Sequence, residues 1–202
     1  MTNSRKQFLD KRQKEEYHKL AKNKQVRARS YFKLEQIHKK YNIFNDNTSI
    51  IDLGCAPGGW LEYIDKTITN GRIVGIDLLE VKKHNEFSEK VMIIQDDFDN
   101  IDEYINENFD LVLSDMAPEF SGDSRVDRGK THKLNIKVLD FAKAHLKEGG
   151  KCVFKSFEGE DLENVRKYAK KIFNSVKEFK PKSSQSKSAE MFMICSDKRQ
   201  NI

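Results

Sequence analysis

Paired cysteines are missing from this 202-residue chain. Its three, Cys55, Cys152 and Cys195, are odd in number, far apart and in no C-x-x-C arrangement. That pattern speaks against a disulfide framework and against structural zinc, so no metal is expected, and it suits a reducing compartment. Also missing are an apolar run long enough to span a membrane, the apolar core of a secretory signal, and any internal repeat. No membrane partner is expected. The dinucleotide fingerprint G-x-G-x-x-G is absent too: the prominent glycine-rich turn spaces its glycines as Gly54, Gly58 and Gly59, with Pro57 between. This spacing, and the lack of an evident hydride-transfer pair, disfavours a dinucleotide-dependent oxidoreductase.

What charge there is lies unevenly. The chain carries +5 overall, yet residues 1–40 hold thirteen Lys/Arg against four Asp/Glu, a net of +9 that leaves −4 for the remainder. A basic arm on a mildly acidic body fits a catalytic domain that gathers a polyanion at one edge, in a salt-dependent way. A solvated tail would look the same. The expected division is a basic arm over residues 1–28 and one domain over 29–202, since this length suits one complete core. Residues 4–24 are too charged for more than a weakly docked helix. From Ser30, a candidate N-cap, Tyr31, Leu34, Ile37, His38 and Tyr41 recur at helical spacing, which predicts a docking helix with Arg27, Arg29 and Lys33 at its entrance.

The centre of the chain is Ser49 to Trp60. Ile50, Ile51 and Leu53 form a short apolar run of the kind buried on both faces of a parallel sheet, and the glycine turn then leads into Leu61, Tyr63 and Ile64 at helical spacing. In open α/β sheets ligands lie beyond such strand ends, and the glycines admit them closely. Pro57 removes a backbone donor that a pyrophosphate would use, so a phosphate-free ligand is favoured, and S-adenosylmethionine (SAM) is one. A second strand ends at Asp77, placed to accept from ribose hydroxyls, although a turn or helix cap would also explain it. Val91 to Ile94 forms a third, followed by Asp97, which could reach an adenine amino group or cap the helix holding Ile101 and Tyr104.

Phe109 to Asp115 is the fourth strand. Glu119 to Gly129 reads as a mobile substrate-side loop, a helix runs from there to Gly149-Gly150, and Lys151 to Phe157 is the fifth strand. A helix over Leu162 to Phe173, a strand over Val176 to Phe179 and a last strand over Glu190 to Cys195 complete the chain. The last two strands lack an intervening helix and can pair antiparallel. The expected fold class is therefore α/β: a Rossmann-like class I SAM methyltransferase sheet of seven strands, mostly parallel with an antiparallel last strand and helices on both faces.

Lys155 is the odd residue, a cation inside the apolar strand Cys152-Val-Phe-Lys-Ser-Phe. Burying an unpaired ammonium is costly, and a lysine relieved of its proton is a base. A lysine snorkelling out beside an acid is the plainer alternative. With Asp115 ending the neighbouring strand, Lys33 on the basic helix and Glu190 opening the last strand, four charged groups could meet at one rim. Such a set suits deprotonation of a ribose 2′-hydroxyl: Lys155 as base, Lys33 as like-charge neighbour, Asp115 as orienter and Glu190 as the partner holding a lysine.

These residues resemble the FtsJ/RrmJ family of SAM-dependent RNA 2′-O-ribose methyltransferases nearly end to end. The likeness runs through Arg27-Ala-Arg-Ser-Tyr-Phe-Lys-Leu34, Asp52-Leu-Gly-Cys-Ala-Pro-Gly-Gly-Trp60, Asp77-Leu-Leu79, Ser114-Asp-Met-Ala-Pro118, Phe154-Lys155 with the downstream Phe-Glu-Gly, and Pro181-Lys-Ser-Ser with Ser188-Ala-Glu190. It departs at the charged link between Asp77 and Val91 and at Asp96, where a glycine is common. The resemblance implies a catalytic tetrad of Lys33, Asp115, Lys155 and Glu190, SAM contacts from Gly58, Trp60, Asp77, Asp97 and Asp115, RNA contacts from Arg27, Arg29 and Lys33, and S-adenosylhomocysteine (SAH) as product. Within the family, Ser-Asp-Met-Ala-Pro and Gly-Gly-Trp look like the large-subunit ribosomal RNA methyltransferase E branch, which acts on a uridine of ribosomal RNA or the assembled subunit. The stretch Asp10-Lys-Arg, Tyr17 and Leu20-Ala-Lys22 is similar to tRNA anticodon-loop methyltransferases, the alternative reading, and a non-catalytic RNA-binding module is the non-enzyme one. A monomer in the cytoplasm is expected. A mitochondrial or nuclear location would need a leader upstream, because Asp10, Glu15 and Glu16 make a poor transit peptide.

Overall fold

The computed structural model describes residues 26–82, 86–119, 121–159, 162–184 and 189–200. The expected basic arm and its weak helix therefore fall outside the described residues, apart from residues 26–28, as does Ser188. Seven strands form one sheet: β1 (Ile50–Leu53), β2 (Ile73–Asp77), β3 (Val91–Gln95), β4 (Phe109–Ser114), β5 (Leu146–Phe157), β6 (Phe173–Phe179) and β7 (Glu190–Lys198). Their order is β3-β2-β1-β4-β5-β7-β6. The pairings from β3 through to β5 are parallel, and β7 runs antiparallel to both β5 and β6. The last strand is thus slotted between β5 and β6, leaving β6 at the edge.

Helices cover both faces. On one, α1 (Ser30–Tyr41) and α2 (Gly59–Thr67) pack Leu34, Ile37, Leu61 and Ile64 against Leu113, Val153 and Phe192 of the sheet. On the other, α3 (Ser124–His145) and α4 (Leu162–Ile172) set Leu139 and Val165 against Val112, Phe154 and Met193. Neighbouring strand residues alternate between the faces, as the pleat requires. Leu34 and Ile37 have no exposed surface, and such side chains each contribute about 1.5–3 kcal/mol. The cysteines are free and buried. Among the described residues no helix is long and apolar enough to cross a membrane.

Several boundaries differ from the sequence expectations; β6 begins at Phe173 rather than Val176, and β7 runs on past Cys195 to Lys198. The polar stretch from Glu119 to Gly129 is not all loop, for α3 begins at Ser124. Asp123 Oδ1 accepts from the Val126 amide, and Asp127 accepts from the amides of Ser121 and Gly122, so the residues that look like loop formers are capping a helix. Ser30 is not the cap of α1 but its first residue; Arg29 takes the cap position, and the Tyr31 and Phe32 amides bond back to the carbonyls of Ala28 and Arg29. Finally, α3 stops at His145, before the glycine pair, and β5 starts at Leu146 opposite Phe109. A shift of register before Leu111 accommodates Gly149, whose φ of +73° suits glycine.

Candidate active site

Parallel β1, β2, β4 and β5 deliver their carboxyl ends to one edge of the sheet, and antiparallel β7 begins there. Glu190 stands opposite Phe157, and Phe192 opposite Lys155. Counting by twos, Lys155 shares the α1 face with Val153, and Glu190 shares it with Phe192. Helix α1 presents Lys33 to the same place from its buried side, with Phe32, Leu34 and Ile37. Four separate elements thereby bring Lys33, Asp115, Lys155 and Glu190 together.

The contacts form a chain. Lys33 Nζ donates to Glu190 Oε2 at 2.8 Å and lies 3.5 Å from Asp115 Oδ1; Lys155 Nζ lies 3.1 Å from that same oxygen and donates to the Asp115 carbonyl. Ser184 Oγ donates to the other oxygen of Glu190 at 2.6 Å. Burial alone would raise Glu190, but the charge and hydrogen bond of Lys33, with the bond from Ser184, hold it below its ordinary value. Lys33 also sits 5.6 Å from the Phe192 ring centroid, and Trp60 packs against that ring while its Nε1 donates to the Ser30 carbonyl.

Two adjoining cavities open over these strand ends and share Gly54, Ala56 and Asp115. The smaller, of about 310 Å³, holds the four charged groups with Trp60, Arg29 and Asp52. The larger, of about 490 Å³, is lined by Asp77, Leu78, Asp97, Phe98, Met116 and Lys137. Asp77 accepts from the amides of Ala56 and Leu79, both at 2.8 Å, and so ties the glycine turn to the tip of β2. Asp97 caps the 3-10 turn Phe98–Glu103 by accepting from the Asp99 amide, and it also lines the larger cavity. Gly58 has φ of +100°, and a Cβ there would meet Phe87, Val81 and Arg27. Asp96, where the family pattern has a glycine, accepts from Tyr104, Asn100 and the Asp97 amide, which lowers its pKa.

Arg29 and Lys33 line the smaller cavity. Arg27 is not among the residues lining it: its guanidinium stacks 4.2 Å over the Phe87 ring and donates to Glu86 and the Lys82 carbonyl, while its amide donates to Glu62. Two groups escaped the sequence reading of the site. Ser184 lies in a polar loop with nothing to single it out beyond the motif. Asp52 stood in the quoted motif without a role, and its place inside an otherwise apolar strand was the available signal.

A family model described as FtsJ-like methyltransferase matches residues 26–198. The chain belongs to that family. Relatives of this FtsJ-like chain include two named ribosomal RNA large subunit methyltransferase E. The one from Methanosphaera stadtmanae is 37% identical over 91% of this chain and 93% of its own, and the one from Francisella philomiragia is 39% identical over 89% of each. A solved structure described as a ribosomal RNA methyltransferase of Plasmodium falciparum superposes with a TM-score of 0.72 at 25% identity, covering 86% of this chain and 98% of that one. As a methyltransferase of this family, the chain uses SAM as methyl donor. The FtsJ-like cleft fits that molecule chemically: a carboxylate at the tip of β2 for a ribose diol, a glycine turn for close approach, an apolar side at Leu78 and Phe98 for a base, and a charged chamber for an amino-acid tail.

Proposed function

We propose that this protein methylates a ribose 2′-hydroxyl of RNA, and that the RNA is large-subunit ribosomal RNA, alone or in the assembled subunit. The convergence of two amines on one carboxylate oxygen of Asp115 carries the reading. A ribose hydroxyl is a poor acid, so it needs a base and a means of steadying the developing alkoxide. Lys155 takes the proton. Lys33, held by Glu190, adds positive charge beside the oxygen, and Asp115 fixes both amines in place. Bound SAM supplies the methyl as a sulfonium electrophile and leaves as SAH. Gly58, Trp60, Asp77, Asp97 and Asp115 hold it. The Trp60 side chain acts through shape, since its indole N–H is already donated to the Ser30 carbonyl.

Arg29, at the cavity, and the basic N-terminal arm gather the RNA backbone. Arg27 contributes by bracing the Phe87 segment over Gly58. The names of the curated relatives favour ribosomal over transfer RNA. We further take the protein to act as a monomer in the cytoplasm, with a basic arm over residues 1–28 joined to one catalytic domain. The test is to incubate the protein and SAM with ribosomal and transfer RNA and map ribose methylation by resistance to alkaline cleavage. Label in a large-subunit RNA dinucleotide is expected. Label in tRNA would move the substrate, and label on a base would refute the chemistry.

A further inference from the structure

One carboxylate in the smaller cavity takes no part in the methyl transfer. Asp52, the third residue of β1, is 1% exposed, and neither of its oxygens has a hydrogen-bond partner among the described residues. An ionised carboxylate so placed is strongly penalised unless a cation faces it. The charged and titratable groups around it come from every neighbouring element: Asp77 at the end of β2, Asp115 beyond β4, Cys55 in the glycine turn, Lys155 on β5, Glu190 on β7, and Arg29 and Lys33 from the start of α1. Lys33 and Lys155 are engaged with Asp115 and Glu190, one amine for each acid. Arg29 is the remaining cation of the cavity, but the charges that act on Asp52 are those of the acids Asp115 and Asp77; Asp52 is thus left without a counter-charge among the described residues. Burial first, then the nearby charges of Asp115 and Asp77, raise its pKa well above the ordinary value.

A ligand can supply the missing cation. The larger cavity, with Leu78 and Phe98 beside two acids, suits a nucleoside; the smaller, with charges of both signs, suits the zwitterionic tail of an amino acid. We propose that Asp52 holds a proton in the cofactor-free protein and releases it as its carboxylate receives the α-ammonium common to SAM and SAH, so that cofactor binding is coupled to loss of a proton. The inference rests on the cofactor assignment above. It makes affinity rise with pH over the range in which free Asp52 is protonated, by up to about tenfold per pH unit.

The test is calorimetric titration of the protein with SAH at pH 7 in phosphate and in Tris, buffers that differ in their enthalpy of ionisation. The wild type should release a proton, seen as a buffer-dependent enthalpy. Methylthioadenosine, which lacks the amino-acid tail, should bind with no such dependence. Asp52→Asn should bind SAH at least tenfold more weakly and without proton release. If Asp52→Asn fails to fold, as judged by its melting curve, the wild-type contrast between SAH and methylthioadenosine, with the pH dependence of SAH affinity, decides the matter. SAH binding with no buffer dependence, equal release with methylthioadenosine, or release that persists in Asp52→Asn would each overturn the proton coupling and leave the cofactor reading intact. Absence of SAH binding would sink that reading as well.

Discussion

Replacing Lys33 with methionine should expose how the charged cluster is held together. The side chain is 7% exposed and touches Glu190 at 2.8 Å and Asp115 at 3.5 Å. Methionine keeps much of the volume but leaves two acids facing one remaining amine. Removing one partner of a buried pair costs about 3–5 kcal/mol. Asp115 and Glu190 retain 18% and 14% side-chain exposure, so the lower end applies, and about 3 kcal/mol in a chain of this size lowers the melting temperature by about 6–12 °C. The pH dependence sharpens the test. Glu190 is held below its ordinary value of 4.5 chiefly against burial, by Lys33 and Ser184. A carboxyl depressed by folding stabilises the native state above its unfolded pKa and loses that contribution as pH falls through its folded value. The gap between wild type and Lys33→Met should therefore be widest near pH 7.5 and close as pH drops through 4.5 and below. A gap that stays constant across that range, or no gap at neutral pH, would refute the ion-pair account.

Further outcomes follow from the same geometry. Ser184→Ala frees one oxygen of Glu190 and should lower kcat by about tenfold, the worth of a hydrogen bond to a charged group, with SAH affinity unchanged and recovery in Ser184→Thr; equal loss in both variants would mark the serine as a packing residue. Asp77→Ala removes the acceptor of the Ala56 and Leu79 amides and should weaken SAH binding by about 10–100-fold in calorimetry, whereas unchanged affinity would remove Asp77 from the cofactor site. In Gly54→Ala the new Cβ would lie 2.0 Å from Met116 Cγ at a φ of +73°. SAH affinity should fall, and Met116→Ala should restore only part of it because the backbone strain remains.

Much of this site could be read from residue order because its chemistry sits where strands end. Asp77 and Asp115 each close an apolar run, and a lysine within Cys152 to Phe157 violates the pattern around it, so each announces itself locally. The antiparallel pairing of the last two strands was similarly open to inference from the missing helix between them. Its insertion beside β5 was not, because hydrophobic alternation says which face a residue takes and nothing of which neighbour its strand chooses. That insertion is what puts Glu190 within reach of Lys33. Asp123 and Asp127 misled for a different reason: Ser, Gly and Asp serve loops and helix caps alike, and only the donors they meet distinguish the two. The isolation of Asp52 was equally hidden, since a motif names a residue without naming its partners.

The proposed chemistry turns on one amine. Single-turnover methylation of large-subunit ribosomal RNA by Lys155→Met, with SAH affinity measured alongside, puts it to the question most directly. A fall in rate of about 10²–10⁴-fold, the usual worth of a positioned acid–base group, with SAH affinity preserved, is the predicted result; methylation within a few-fold of the wild-type rate would contradict it.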